Sequence, residues 1–172
     1  MKPNDRTVLP LDAAALRVRT RGFTLIEMIV VVLIVGILAS AAVPLYTLEQ
    51  RRGQERELRV SLRTLREAID DYKHAWDDGR IERHQDDSGY PPDLEALVEG
   101  VKDAKSADGK RIYFLRRLPR DPFADPNLPA AQTWGLRSYE SPPDAPSPGR
   151  DVFDVYSLAA QSGLDGVPYR QW

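Results

Sequence analysis

From Phe23 to Tyr46 the chain runs for 24 residues with a single ionisable side chain, Glu27. Its centre, Met28 to Val43, reads MIVVVLIVGILASAAV without one charge. At the usual helical rise such a stretch reaches about 36 Å, enough to cross the ~30 Å hydrocarbon core of a bilayer. Val and Ile are mediocre helix formers in water. In lipid the backbone must bond to itself, so the stretch is expected to be helical there. Two other uses compete. A core helix of a soluble protein is one, although a helix apolar on every side is unusual in a domain of this size. A cleaved export signal is the other, because Ala39-Ser40-Ala41 offers a small-residue cleavage site; that use leaves Glu27 unexplained. Gly36 and Ser40 lie one turn apart. Their spacing permits close helix contact, and small residues are also common in membrane helices generally.

The charges are distributed unevenly around this stretch. Residues 1–22 carry Lys2, Arg6, Arg17, Arg19 and Arg21 against Asp5 and Asp12, a net charge of +3. The whole chain has 24 basic and 26 acidic residues, so the other 150 residues carry 19 and 24, net −5. This balance excludes a basic nucleic-acid coat and an acidic disordered tail. Arginines just before an apolar span keep its amino end cytoplasmic. Arg51 and Arg52 after it weaken that bias, with Glu49 beside them. There is no cysteine, which removes disulfides, thiolate metal sites, thiol catalysis and lipoprotein anchoring.

A carboxylate inside an apolar span costs about 2.5–3.5 kcal/mol at the centre and less near the edge. Glu27 is near the edge, where it can snorkel or be protonated. Alternatively it has a partner. Cleavage between Gly22 and Phe23 would create a cationic amino terminus and make Glu27 the fifth residue of the product. One copy's terminus and a neighbour's carboxylate could then neutralise each other and fix axial register.

Arg21-Gly22-Phe23-Thr24-Leu25-Ile26-Glu27 resembles the cleavage and methylation site of type IV pilins and type II secretion pseudopilins. The resemblance implies leader removal between Gly22 and Phe23, and methylation of Phe23, by a membrane prepilin peptidase/methyltransferase. Pro44 stands where many members carry a helix-kinking proline.

Beyond Pro44 the pattern becomes amphipathic. Leu58, Leu62, Leu65, Ile69, Tyr72 and Trp76 step by 4, 3, 4, 3, 4, which is one helical face. A proline inside a membrane helix can kink it without ending it. The helix is expected to continue to about Asp78, with the stripe as core under a small sheet. A coiled-coil partner is the alternative, with about three heptads available. A short helical pattern follows at Asp93 to Val98. The best strand candidates are Ile112–Leu115, Trp134–Tyr139 and Val152–Leu158, separated by proline-rich turns. The expected class is α+β, a long helix packed on a small antiparallel sheet of about three strands.

Tyr90-Pro91, Leu118-Pro119-Arg120-Asp121-Pro122-Phe123, Asp154-Val155-Tyr156-Ser157-Leu158 and Trp172 occur in the order of one branch, the major pseudopilins of type II secretion. That resemblance implies a pilin-like fold with a leader at 1–22, a membrane and filament-core helix at 23–46 and a periplasmic domain at 47–172. It implies a structural subunit of a helical homo-oligomeric filament, working with other pseudopilins and an inner-membrane assembly platform to drive protein export. A type IV pilus subunit, or in another class an exported or singly anchored periplasmic binding domain, remains the alternative. Members of the branch bind calcium in the last loop through several aspartates. Here that region reads Leu158-Ala159-Ala160-Gln161-Ser162-Gly163-Leu164-Asp165-Gly166. Leu158 and Asp165 are the calcium candidates it offers, against an ion that takes six to eight oxygens, usually with several carboxylates. No other cofactor is implied.

No phosphate loop, nucleophile elbow or zincin motif is present. His74 and His84 read as solvated histidines. Asp70-Asp71 and Asp77-Asp78 read as a wet helix face. The arginines at 51, 52, 56, 59, 63 and 66 interleave with Glu49, Glu55, Glu57 and Glu67, which suggests bridges to neighbouring subunits or plain solvation. The chain is expected not to be an enzyme and not to bind nucleic acid.

Overall fold

The computed structural model describes residues 22–84 and 87–172, with only the backbone described at 41–44. The basic segment before Gly22 lies outside the described residues. The chain divides into two compact units, Met1–Pro44 and Leu45–Trp172. Helix α1, Leu25–Asp77, contributes to both.

In the first unit α1 is apolar on all sides, and its large side chains from Leu25 to Leu38 are exposed. This part of α1 is long and apolar enough to cross a membrane. A helix with no wet face leaves hydrocarbon as its natural solvent.

In the second unit the stripe expected from the sequence is the core. Leu58, Leu62, Leu65, Ile69 and Tyr72 are buried, and Trp76 packs against them half-buried. Each such aliphatic side chain contributes roughly 1.5–3 kcal/mol by leaving water. Ala68 and Ala75 complete the buried face. α1 stops at Asp77 because Gly79 adopts a left-handed φ of 69°, turning the chain away. The Arg83 guanidinium then caps the freed carbonyls of Trp76 at 2.9 Å and Asp77 at 2.7 Å.

The remainder wraps around this face. Helix α2 is a single turn, Ala96–Glu99, whose first amide is accepted by the Asp93 carboxylate at 2.8 Å. The expected element at Asp93–Val98 is therefore shifted and shorter. Strand β1, Val101–Lys102, pairs antiparallel with β2, Arg111–Ile112. Strand β3, Trp134–Arg137, pairs antiparallel with β4, Asp154–Ser157, in the register Trp134 with Ser157 and Leu136 with Val155. Val155, Trp134, Val152 and Tyr169 face the α1 stripe as part of one buried cluster. The fold is α+β, as expected, with a refinement: the described strands form two two-stranded sheets rather than one sheet of three.

Candidate functional site

The amino-terminal site is built by the start of α1. Gly22 and Phe23 precede the helix and are exposed. Thr24 is the residue before the first helical position. Its hydroxyl accepts from the Glu27 amide at 3.3 Å, and its carbonyl accepts from the Met28 amide at 3.2 Å. Thr24-x-x-Glu27 is thus one half of a capping box, satisfying a donor that the helix itself cannot pair. This Thr-x-x-Glu spacing is legible in the sequence as a capping signal, distinct from the charge that Glu27 brings to the apolar run. Glu27 lies in the first turn, where the helix dipole favours negative charge. Its side chain is exposed, and among the described residues no cation forms an ion pair with it.

Further along, Gly36 faces open space and the Ser40 hydroxyl is returned to the Ile37 carbonyl at 2.7 Å. The small-residue strip is therefore flat and internally satisfied. α1 passes through Pro44 as helix; the side chain there is among those not described.

The carboxy-terminal motifs, scattered in sequence, meet in the fold. Pro91 is fully buried and its carbonyl accepts from the Val152 amide at 2.8 Å. The Pro119 carbonyl accepts from the Trp134 indole at 3.0 Å. Asp121, buried, accepts from the Phe123 amide at 2.8 Å and from the Ser157 hydroxyl at 2.5 Å. The Phe123 ring stacks on Tyr169, centroids 4.4 Å apart, and Tyr169 meets Trp172 edge to face at 4.8 Å. These residues hold the unit together. None of them forms an open reactive constellation.

The last loop lies against α1. Asp165 pairs with Arg59 at 3.0 Å, and the Leu158 side chain is exposed. The α1 arginines divide into two kinds. Arg51, Arg59 and Arg66 reach the carboxy-terminal segment of their own chain, Arg66 holding Asp154 at 2.8 Å and the Trp172 carbonyl at 2.7 Å. Arg63 pairs along the helix with Glu67 at 2.9 Å, while Arg52 and Arg56 stand 3.6 and 3.8 Å from Glu49. All six thus pair within the subunit, and half of them do so with residues far along the chain, a role that periodicity along one helix does not reveal. His74 and His84 are exposed, and among the described residues no three His, Cys, Asp or Glu side chains gather as a metal site.

Residues 17–43 match the family described as the prokaryotic N-terminal methylation motif. The chain is 32% identical to type II secretion system core protein G of Klebsiella pneumoniae, over 87% of this chain and 89% of that one. It is 32% identical to the protein of the same name from Vibrio cholerae, over 85% and 86% of the two chains. The Pseudomonas aeruginosa protein of that name is 30% identical over 84% and 86%. No solved structure matches the chain significantly. With the methylation motif at its start, the paired strands against its long helix, and this likeness along most of its length, the chain belongs to the type II secretion system core protein G family of pilin-like subunits.

Proposed function

We propose that this chain is the structural subunit of a type II secretion pseudopilus and has no catalytic role. A prepilin peptidase removes residues 1–22 and methylates the Phe23 amino group. The apolar part of α1, to about Tyr46, holds the subunit in the inner membrane with its amino end cytoplasmic and residues 47–172 in the periplasm. Copies then leave the bilayer into a helical filament whose core is made of these helices. Other pseudopilins and an inner-membrane assembly platform take part, and growth of the filament drives export across the outer membrane. Pro44, which lacks an amide hydrogen, gives α1 a point at which to bend during that transfer.

One observation carries the reading. An exposed carboxylate, Glu27, sits in the first turn of α1, at the head of its apolar exposed part and four residues after Phe23. In a filament core that charge must be paired, and the new amino terminus of a neighbouring Phe23 is the cation cleavage provides. Breaking a buried pair from one side costs about 3–5 kcal/mol, enough to select one axial register.

Intact mass of the cellular protein tests the processing: it should begin at Phe23 with one added methyl group. A product beginning at Ala42 would make it an exported domain instead. Crosslinking in membranes tests assembly: the wild-type chain should give a ladder of multimers, and Glu27→Ala should be processed yet give little ladder. Normal filaments from that variant would remove Glu27 from the mechanism.

A further inference from the structure

The calcium ligands implied by the family resemblance fall on the last loop, and the donors there do not fit the ion. Calcium takes six to eight oxygens, with carboxylates among them. Asp165 is the single carboxylate from Ala159 to Val167, and both of its oxygens are engaged. Oδ1 accepts from the Val167 amide at 3.0 Å, and Oδ2 accepts from Arg59 at 3.0 Å. The Ser162 carbonyl accepts from Arg51, and the Gln161 carbonyl accepts from the Tyr169 amide at 3.1 Å. Two guanidinium groups therefore already occupy oxygens of this loop, and each repels a divalent cation brought to them.

The same side chains do the fastening. Arg51, Glu55 and Arg59 occupy i, i+4 and i+8 on α1, so they rise along one face. Glu55 is 7% exposed and its Oε1 accepts from the Leu164 amide at 2.8 Å and from the Tyr169 hydroxyl at 3.0 Å. Burial raises the Tyr169 phenol above its ordinary value; the Arg51 hydrogen bond opposes this and Glu55 adds to it, so the proton stays on the oxygen that donates to Glu55. Arg51 donates to that same hydroxyl at 3.3 Å. The Arg59 guanidinium, besides holding Asp165, lies 4.2 Å over the Trp172 ring. A buried carboxylate with two donors and a neighbouring arginine is a satisfied group, and charge-assisted bonds of this kind are the strong ones.

We propose that Arg51, Glu55 and Arg59 of α1 close the last loop in place of a divalent cation, so that the fold of the carboxy-terminal unit does not depend on calcium. The inference concerns this unit alone and stands whether or not the chain polymerises.

The test uses the full chain in non-ionic detergent, with thermal unfolding and amide hydrogen exchange followed in millimolar calcium chloride and in EGTA. The unfolding midpoint and the protection of the Leu164 amide should be the same in both. A midpoint raised by calcium, or Leu164 protection lost in EGTA, would overturn the proposal. Glu55→Ala should lower Leu164 protection by about tenfold or more, with no recovery on adding calcium. Wild-type protection in that variant, or its restoration by calcium, counts against the proposal. Should Glu55→Ala fail to fold, Arg59→Gln gives the same reading at the Val167 amide, which Asp165 holds: protection should fall and calcium should not restore it. Unchanged protection there, or recovery with calcium, overturns the proposal equally.

Discussion

Asp121 accepts a hydrogen bond of 2.5 Å from the Ser157 hydroxyl, joining positions 36 apart in sequence, and both residues are buried. The bond ties the proline-rich 118–123 segment to strand β4. It does not stand alone. The Asp121 carboxylate also takes the Phe123 amide, and the Asp121 amide donates to the Thr133 hydroxyl at 3.2 Å. Removing the carboxylate strands two donors in a dry site, each costing about 1–3 kcal/mol. Asp121→Ala should therefore destabilise the carboxy-terminal unit by about 3 kcal/mol, read as a lower urea midpoint with an unchanged slope. Asp121→Asn keeps one carbonyl acceptor and should lose less. Equal losses in the two variants would show that the site needs the charge rather than the acceptor.

Gly100 sits between α2 and β1 with φ at 74°, and a Cβ built there would lie 2.6 Å from the Ile112 carbonyl oxygen. With ψ at 164° this positive-φ backbone is one that only glycine adopts readily, and it alone costs a side chain about 1–3 kcal/mol. The clash adds to this, because backbone in a paired strand has nowhere to move. Gly100→Ala should cost about 2 kcal/mol or more, and the amides of the β1–β2 pair should exchange faster. If the variant unfolds at the wild-type midpoint, the turn does not need its glycine.

Arg80 and Asp103 give the domain an acid-sensitive fastening. The Arg80 guanidinium reaches Asp103 Oδ2 from Nη2 at 2.6 Å and from Nε at 3.2 Å. That bond holds the Asp103 carboxyl below the ordinary carboxylate value; desolvation opposes it, and the Lys105 amide, donating at 3.0 Å, assists. A lowered folded value means that the contribution is complete above about pH 4, the unfolded value, and is lost as pH falls through the folded one. Carboxyl NMR should show Asp103 titrating below about 4, and Arg80→Gln should move the midpoint up toward it. A midpoint unmoved by the substitution would mean that Arg80 does not set it.

The parts legible in the sequence are those whose cause is local or periodic. The 58–76 stripe is buried because its spacing alone puts it on one side of a helix. Gly22, Phe23 and Glu27 stand out because a carboxylate interrupts an apolar run. The short strands depend on distant partners. Ile112–Leu115 reads as a strand, but only its first residue pairs; the Phe114 and Leu115 amides both turn to the Leu97 carbonyl, at 3.1 and 2.9 Å. Strand β1 has two residues and exists because Gly100 aims it at Ile112, a partner no local window contains. Val152 heads the expected strand Val152–Leu158, yet its amide goes to the Pro91 carbonyl, outside any ladder. The arginine stripe suggests bridges to neighbours or plain solvation, whereas Arg51, Arg59 and Arg66 hold residues about ninety or more positions later in their own chain. Non-local partners decide all of these, and pattern along the chain carries no record of them.

The register role proposed for Glu27 is separable from a local one at the start of α1. The Glu27 backbone amide donates to the Thr24 hydroxyl, and a Glu or Gln side chain at this third position can add the reciprocal bond to the Thr24 amide, a local contribution of about 1 kcal/mol as caps go. The charge of Glu27 in an apolar filament core would have a non-local role worth about 3–5 kcal/mol when a single partner is lost. Glutamine serves the first and not the second, since it retains a side-chain acceptor at the capping position and carries no charge. Glu27→Gln should therefore keep wild-type helix content by circular dichroism in detergent and wild-type leader removal by mass, while forming as few crosslinked multimers as Glu27→Ala. If Glu27→Gln instead assembles like the wild type and Glu27→Ala does not, capping accounts for the whole effect and the amino-terminal cation has no part in register.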